Sequence, residues 1–220
     1  MKNPDIILAL KPVIKAFDNL SIPYYIGGSI ASSIYGMARA TMDVDIVAAI
    51  ESNHILPLRK YLEKEYYIDE NIIADAIRRN TSFNLIHLET MIKIDVFIHK
   101  NEPYQQDTIR RKTKDILDEN DTSTEYYFSS PEDIIIHKLQ WYEMGGRVSE
   151  RQWLDVIGVI KVQGDSLDKN YLKSWSEKLG IIELLENAFS DAGVNLLNST
   201  LCATLRNTMK NRYPKCYERI

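Results

Sequence analysis

Cysteine is scarce in this 220-residue chain: both copies, Cys202 and Cys216, fall among the last twenty residues. That excludes a disulfide framework and a CxxC metal ribbon, and a reduced, cytoplasmic setting is expected. Long apolar runs are missing too. No stretch approaches the roughly 20 residues of a membrane helix. The early run Ile6-Ile7-Leu8-Ala9-Leu10 is closed at once by Lys11-Pro12, too short a core for a signal peptide. There is no GxxxxGK[ST] loop, no nucleophile elbow and no HExxH pair, which removes P-loop NTPases, elbow-type hydrolases and HExxH metalloproteases. His54, His87 and His99 have no metal-type spacing, and His137 reads as a packing or capping residue. An excess of positive charge is lacking as well. The formal net charge of −4 argues against a surface built wholesale for nucleic acid, leaving only local basic patches.

What is present is an ordinary globular composition, 45% hydrophobic and 26% charged, with length enough to bury a core. Residues 5–19 carry apolar positions at helical spacing (Ile6, Ile7, Leu10, Val13, Ile14, Phe17), which predicts an N-terminal helix. Strands are expected at 23–27, 43–50, 65–69, 82–88 and 91–98, with helices at 29–36, 52–64 and 71–79 between them. Only Glu89 and Thr90 separate 82–88 from 91–98, which predicts an antiparallel hairpin. Residues 103–128 are mixed, with a basic run Arg110-Arg111-Lys112-Thr113-Lys114 and a strand-like Glu125-Tyr126-Tyr127-Phe128.

The character changes at Ser129-Ser130-Pro131-Glu132-Asp133, where an N-cap serine, a first-turn proline and two acids mark a helix start. From there the pattern is helical to about residue 192, broken at Gly145-Gly146, Gly164 and Gly180. The expected organisation is an α/β (α+β) unit over 1–128, a helical unit over 129–193, and a basic, poorly ordered tail over 194–220.

One passage names a chemistry. Gly27, Gly28 and Ser29 follow the apolar run ending at Ile26 and open a short helical segment. A strand running through a Gly-Gly turn into a helix N-terminus lets backbone approach an anion and aims unpaired N–H groups at it. Downstream, Arg39-x-Thr41-x-Asp43-x-Asp45 enters a second apolar strand, and the period of two puts both carboxylates on one face. Aspartate is disfavoured in strands, so this alternation needs a reason. A solvated sheet face is the bland one. A third acid, Asp95, within Lys93-Ile94-Asp95-Val96-Phe97 weighs against it. Carboxylates meeting at 4 Å repel by roughly 4 kcal/mol per pair at an effective dielectric of ~20. A divalent cation relieves that repulsion, and ligands that are all oxygen point to Mg²⁺ or Mn²⁺.

The order Gly-Gly-Ser, Thr-x-Asp-x-Asp and then a strand aspartate some fifty residues on resembles the nucleotidyltransferase fold of the DNA polymerase β superfamily. The resemblance implies an NTP substrate, with Gly28 and Ser29 cradling its phosphates. It also implies two Mg²⁺ ions on Asp43, Asp45 and Asp95, with Asp95 nearest the acceptor hydroxyl. Gly27-Gly28-Ser29-Ile30-Ala31 running to Tyr35, with Arg39-x-Thr41-x-Asp43-x-Asp45, is similar to the AbiEii-type toxin nucleotidyltransferases. That similarity extends to Glu132-Asp133-Ile134-Ile135-Ile136-His137-Lys138-Leu139 and Arg151-Gln152-Trp153-Leu154-Asp155, covering about residues 20–160. It implies that Lys138 contacts the nucleotide phosphates and that Asp155 orients Lys138 or the acceptor.

The other candidates are weighed against plainer roles. Snorkelling to solvent is as good an account of Lys138 as an inward reach. Arg39 suits phosphate or a surface acid equally. Trp141, Tyr142 and Trp153 read first as core packing, then as a base-stacking surface. The basic run 110–114 is a solvated face or a hold on an RNA backbone. The functional expectation is Mg²⁺-dependent transfer of an NMP from an NTP to an acceptor hydroxyl. By resemblance the acceptor is an RNA or tRNA 3′ end, with toxicity as the consequence and an antitoxin protein as partner. Two alternatives stay open: a small-molecule transferase of the aminoglycoside-modifying kind, and a nucleotide-binding regulatory module without turnover.

Overall fold

The computed structural model describes residues 4–117 and 124–196, so both cysteines and most of the proposed tail lie outside the described residues. The chain opens with α1 (Pro4–Asn19), then β1 (Tyr24–Ile26), α2 (Gly28–Tyr35) and β2 (Asp43–Ala48). A 3-10 turn at Ser52–His54 leads into α3 (Ile55–Leu62), followed by β3 (Tyr66–Tyr67), α4 (Glu70–Arg79), β4 (Ser82–His87) and β5 (Lys93–Ile98). Next come α5 (Pro103–Arg111), β6 (Thr113–Asp115) and β7 (Tyr126–Phe128). The helices α6 (Pro131–Met144), α7 (Glu150–Gln163), α8 (Lys169–Lys178) and α9 (Ile182–Ala192) complete the described chain.

The strands form one mixed seven-stranded sheet in the order β3-β4-β5-β2-β1-β7-β6. At its centre β2 runs parallel to β5 and antiparallel to β1, while β4 pairs antiparallel with β5. The pleat sorts the side chains. Val44, Ile46 and Ala48, with Ile94, Val96 and Ile98, are buried on one face. There α1 covers them, its Phe17 ring meeting Tyr24 at 5.7 Å. The opposite face carries Asp43, Asp45, Val47, Asp95 and Phe97, and α6 crosses it: His137 stacks on Tyr25 at 6.4 Å, and Trp141 meets Phe97 edge-on at 6.3 Å.

Most expected elements stand, with shifts that have local causes. The 82–88 and 91–98 segments do pair antiparallel, but β5 begins at Lys93 because Met91 takes the left-handed conformation (φ 57°) and widens the turn. The 65–69 strand shrinks to two residues at the sheet edge, and 52–64 divides into the 3-10 turn and α3. The mixed stretch 103–128 contains α5 and the edge strand β6, which hydrophobic periodicity did not reveal because their buried positions are few. A single cluster of buried side chains runs from Ile6 to Ala192, across the 128/129 boundary, with Val194 and Leu196 packed against it.

The acids that mark the start of α6 do more than favour a helix N-terminus. Ser130 caps the helix by accepting the Asp133 N–H at 3.2 Å, and its hydroxyl donates to the Asp133 carboxylate at 2.7 Å. Asp133 is fully buried and also accepts from the Tyr171 hydroxyl at 2.7 Å. Glu132 takes Arg111 of α5 at 2.8 Å and the backbone N–H of Asp168 at 2.8 Å. This polar knot ties α5 and α8 to the start of α6. It also absorbs part of the basic run. Lys112 lies 3.8 Å from the centre of the Tyr127 ring, Lys114 pairs with Glu125 at 2.7 Å, and Arg110 lies 3.9 Å from Asp107.

Candidate active site

The site gathers where β1 runs through the glycine turn into α2, against the neighbouring strand β2. Gly27 donates its N–H to the Asp45 carbonyl at 2.9 Å, which fastens the glycine turn to β2. Gly28 adopts φ +55°, and a β-carbon there would come 1.8 Å from Asp45 Oδ2. Only glycine satisfies both demands. Gly27 has open space around it, so Gly28 is the position where the absence of a side chain matters. The N-terminus of α2 already faces an anion of its own chain: the Ser29 N–H favours the charged form of the Asp45 carboxylate.

Asp45 and Asp95 are register partners on β2 and β5, and Asp43 partners Lys93 one step earlier on the same face. Burial pushes the Asp45 carboxyl up, and the negative charges of Asp95 and Asp43 push it further. The nearby Lys138 ammonium and the Ser29 N–H oppose that shift without cancelling it. The Lys93 ammonium lies 2.8 Å from Asp95, and all three acids favour its charged form. Asn84 of β4 stands in register with Asp95 on the other side.

Beside the acids lies a network centred on Asp155 of α7. Its carboxylate accepts two hydrogen bonds from Arg39, at 2.9 and 2.9 Å, and one from the Lys138 ammonium at 2.8 Å. Lys138 also donates to Gln152 Oε1 at 3.1 Å. Arg39 reaches back to the Ser29 hydroxyl, closing a path from the glycine turn to the helical half. Burial would raise the Asp155 carboxyl, but the bonds from Arg39 and Lys138 hold it below the usual carboxylate range. Burial also lowers the Lys138 ammonium, against the support of Asp155. The inward reach of Lys138 is therefore the observed one; its side chain is 7% exposed.

The remaining candidates separate. Thr41 precedes β2 and is buried, its hydroxyl accepting the Asp43 N–H at 3.4 Å, so it shapes the entry to the strand. His137 is half-buried, packed between Tyr25 and Tyr104, and desolvation pushes its imidazole down to about 4, so it stays neutral at pH 7. Trp153 packs on Tyr142 at 5.1 Å and donates to Asp191, the packing role expected of it. Trp141 departs from that expectation, being 53% exposed. Sequence reasoning missed Lys93 and Gln152. Lys93 sits two residues before Asp95, a same-face position that the strand period alone identifies.

Oxygen-only donors on one sheet face, with the Asp45 carboxyl raised by burial and by the charges of Asp95 and Asp43, suit a hard divalent cation. The set is not closed in advance. Among the described residues, no three His, Cys, Asp or Glu side chains are placed to hold a metal ion. Asp43 is exposed at the start of its strand, and Asp95 is engaged by Lys93.

No protein-family model matches the chain, and no curated protein matches it in sequence. Among solved structures, the solution structure of the antibiotic-resistance factor ANT(2'')-Ia is similar over 84% of this chain and 99% of its own, at 13% identity and a TM-score of 0.51. The crystal structure of ANT(2'')-Ia in complex with adenylyl-2''-tobramycin is similar over 79% of this chain and 98% of its own, at 12% identity and a TM-score of 0.51. An antigenic nucleotidyltransferase-like protein from Paracoccidioides brasiliensis is similar over 82% of this chain and 91% of its own, at 19% identity and a TM-score of 0.48. Likeness at such identities speaks for architecture, which here is the nucleotidyltransferase fold.

Proposed function

We propose that this protein transfers an NMP from an NTP to an acceptor hydroxyl and releases pyrophosphate. The observation that carries the reading is the register of Asp45 with Asp95 on one face, with Asp43 beside them and the Gly28–Ser29 turn pressed against Asp45. Burial first, and the charges of Asp95 and Asp43 after it, keep the Asp45 carboxyl raised. A module that only bound nucleotide would have no use for that cost.

By the resemblance, Asp43, Asp45 and Asp95 would hold Mg²⁺ or Mn²⁺, a set that requires Asp95 to leave Lys93. When bound, the cation supplies neutralising charge to the phosphates and to the reacting oxygens. The chain's own groups do the rest. The Gly27–Ser29 turn and the N-terminus of α2 receive the triphosphate, and the Ser29 N–H donates to phosphate. Lys138 and Arg39 set two positive charges beside that turn, held in place by Asp155. Asp95 accepts the proton of the acceptor hydroxyl, whose oxygen attacks the α-phosphorus in line as the bond to pyrophosphate breaks.

The acceptor assigned by resemblance to the AbiEii-type toxins is an RNA or tRNA 3′ end, and an antitoxin partner follows from that resemblance alone. A second reading, a small cationic acceptor, is favoured by a specific observation: the acids share one sheet face, while Arg111, Lys112 and Lys114 of the basic run are each engaged within the chain. The deciding experiment incubates the protein with each α-³²P-labelled NTP, Mg²⁺ and total RNA, or a panel of aminoglycosides, with Asp43→Ala/Asp45→Ala as control. Label on RNase-sensitive material supports the RNA acceptor, and label on a small product supports the second reading. No label with any acceptor overturns transferase activity.

A further inference from the structure

Trp141 is a large aromatic side chain on α6 that is left half in solvent, 53% exposed, although it borders the acid-bearing face of the sheet. Its position is set on two sides. It lies one helical turn beyond Lys138, which reaches into the Asp155 network beside the phosphate turn. Its ring packs edge-on at 6.3 Å against Phe97, and Phe97 follows Asp95 by two residues on the same face of β5. A two-residue step along a strand is about 7 Å, and one helical turn is about 5 Å. The indole therefore stands one helical turn from Lys138 and, through Phe97, one strand repeat from Asp95.

We propose that Trp141 is the shelf on which the base of the nucleoside triphosphate stacks, an inference that rests on the nucleotidyl-transfer reading above. Phe97 braces the edge of the indole, so the ring is oriented before the nucleotide arrives and little freedom is lost on binding. A stacking shelf registers that a base is present more than which base it is, because every base has a π-face. The chemistry identifies the occupant as the nucleotide's own base: phosphates drawn to Gly28, Ser29, Arg39 and Lys138 place the nucleoside end toward Phe97 and Trp141.

The test is a comparison of wild-type, Trp141→Ala and Trp141→Phe full-length protein by titration calorimetry, using each of the four NTPs and inorganic tripolyphosphate with Mg²⁺. Tryptophan emission is followed in parallel. In Trp141→Ala, NTP affinity falls about 10–100-fold, while tripolyphosphate, which has no base, binds as it does to wild type. Trp141→Phe restores most of the NTP affinity and abolishes the emission change that NTP causes in wild type. Unchanged NTP affinity in Trp141→Ala would overturn the shelf. So would an equal loss for tripolyphosphate, which would mark Trp141 as structural, or a rise confined to the KM of the acceptor. If wild-type protein binds no NTP, the nucleotidyl-transfer reading itself falls, and the shelf with it.

Discussion

Asp45 on β2 and Asp95 on β5 occupy the same register position on adjacent parallel strands, so their carboxylates share one sheet face. Burial and the neighbouring charges make Asp45 harder to ionise in the folded chain than in the unfolded one. A carboxyl raised in this way contributes stability below the ordinary carboxylate range, and that contribution is lost as pH rises through the raised value. Asp45→Asn is therefore expected to raise Tm at pH 7.5 in metal-free buffer, by about 2–4 °C for each kcal/mol of repulsion relieved. The gain shrinks as the pH approaches the ordinary carboxylate range. Mg²⁺ raises the Tm of wild type and leaves that of Asp45→Asn nearly unchanged. Thermal scans at pH 7.5 and 5, with and without Mg²⁺, check both outcomes, and a lower Tm for the variant at pH 7.5 would contradict the argument.

The two glycines of the turn separate cleanly. Gly28→Ala puts a methyl group into Asp45 and forces a left-handed backbone on alanine, which alone costs about 1–2 kcal/mol. Lower stability together with lost NTP binding is expected. Gly27→Ala meets open space at φ −117°, so a change within about 0.5 kcal/mol is expected. Chemical denaturation and NTP titration of the two variants make the comparison, and equal damage from both would refute the assignment.

Asp155 anchors two cations and Lys138 is only one of them, so their removal has unequal effects. Asp155→Ala removes the carboxylate that both Arg39 and the buried Lys138 are bonded to and is expected to cost about 3–5 kcal/mol. Lys138→Met leaves Asp155 with its two bonds from Arg39, so the fold loses less. Transfer activity is expected to fall roughly 100-fold or more in that variant, as when one transition-state donor is removed. Because Asp155 is held below the usual carboxylate range, its contribution to stability is present above the ordinary carboxylate pKa and is lost as pH falls through the lowered value. Urea denaturation at pH 7 and pH 5 should accordingly give the same penalty for Asp155→Ala.

Lys93 offsets part of the charge on Asp95 at 2.8 Å. Lys93→Met leaves the acids more negative, so Mn²⁺ is expected to bind about 2–5-fold more tightly at low salt. The difference should fade toward 1 M salt, where the screening length drops to about 3 Å. Mn²⁺ titration by paramagnetic resonance measures this, and weaker binding in the variant would show that Lys93 organises the acids and does not compete with the cation.

The sequence by itself determined the parts whose physics is local. The Gly27-Gly28-Ser29 turn, the same-face spacing of Asp43 and Asp45, and the Ser130–Pro131 helix start are all legible because backbone conformation and strand period depend on neighbours in the chain. The strand of Asp95 and its pairing with residues 82–88 were legible for the same reason. Partners distant in sequence were legible only through the family resemblance or not at all. That Asp95 stands opposite Asp45, that Asp155 holds Arg39 and Lys138 together across 116 and 17 residues, and that Lys93 turns its ammonium to Asp95 are results of packing. So is the contrast between Trp153, packed against Tyr142, and Trp141, left half exposed beside the acids. Periodicity shows which residues share a face, but only the closed tertiary structure decides what that face meets, because burial and charge pairing depend on neighbours that the chain supplies from elsewhere.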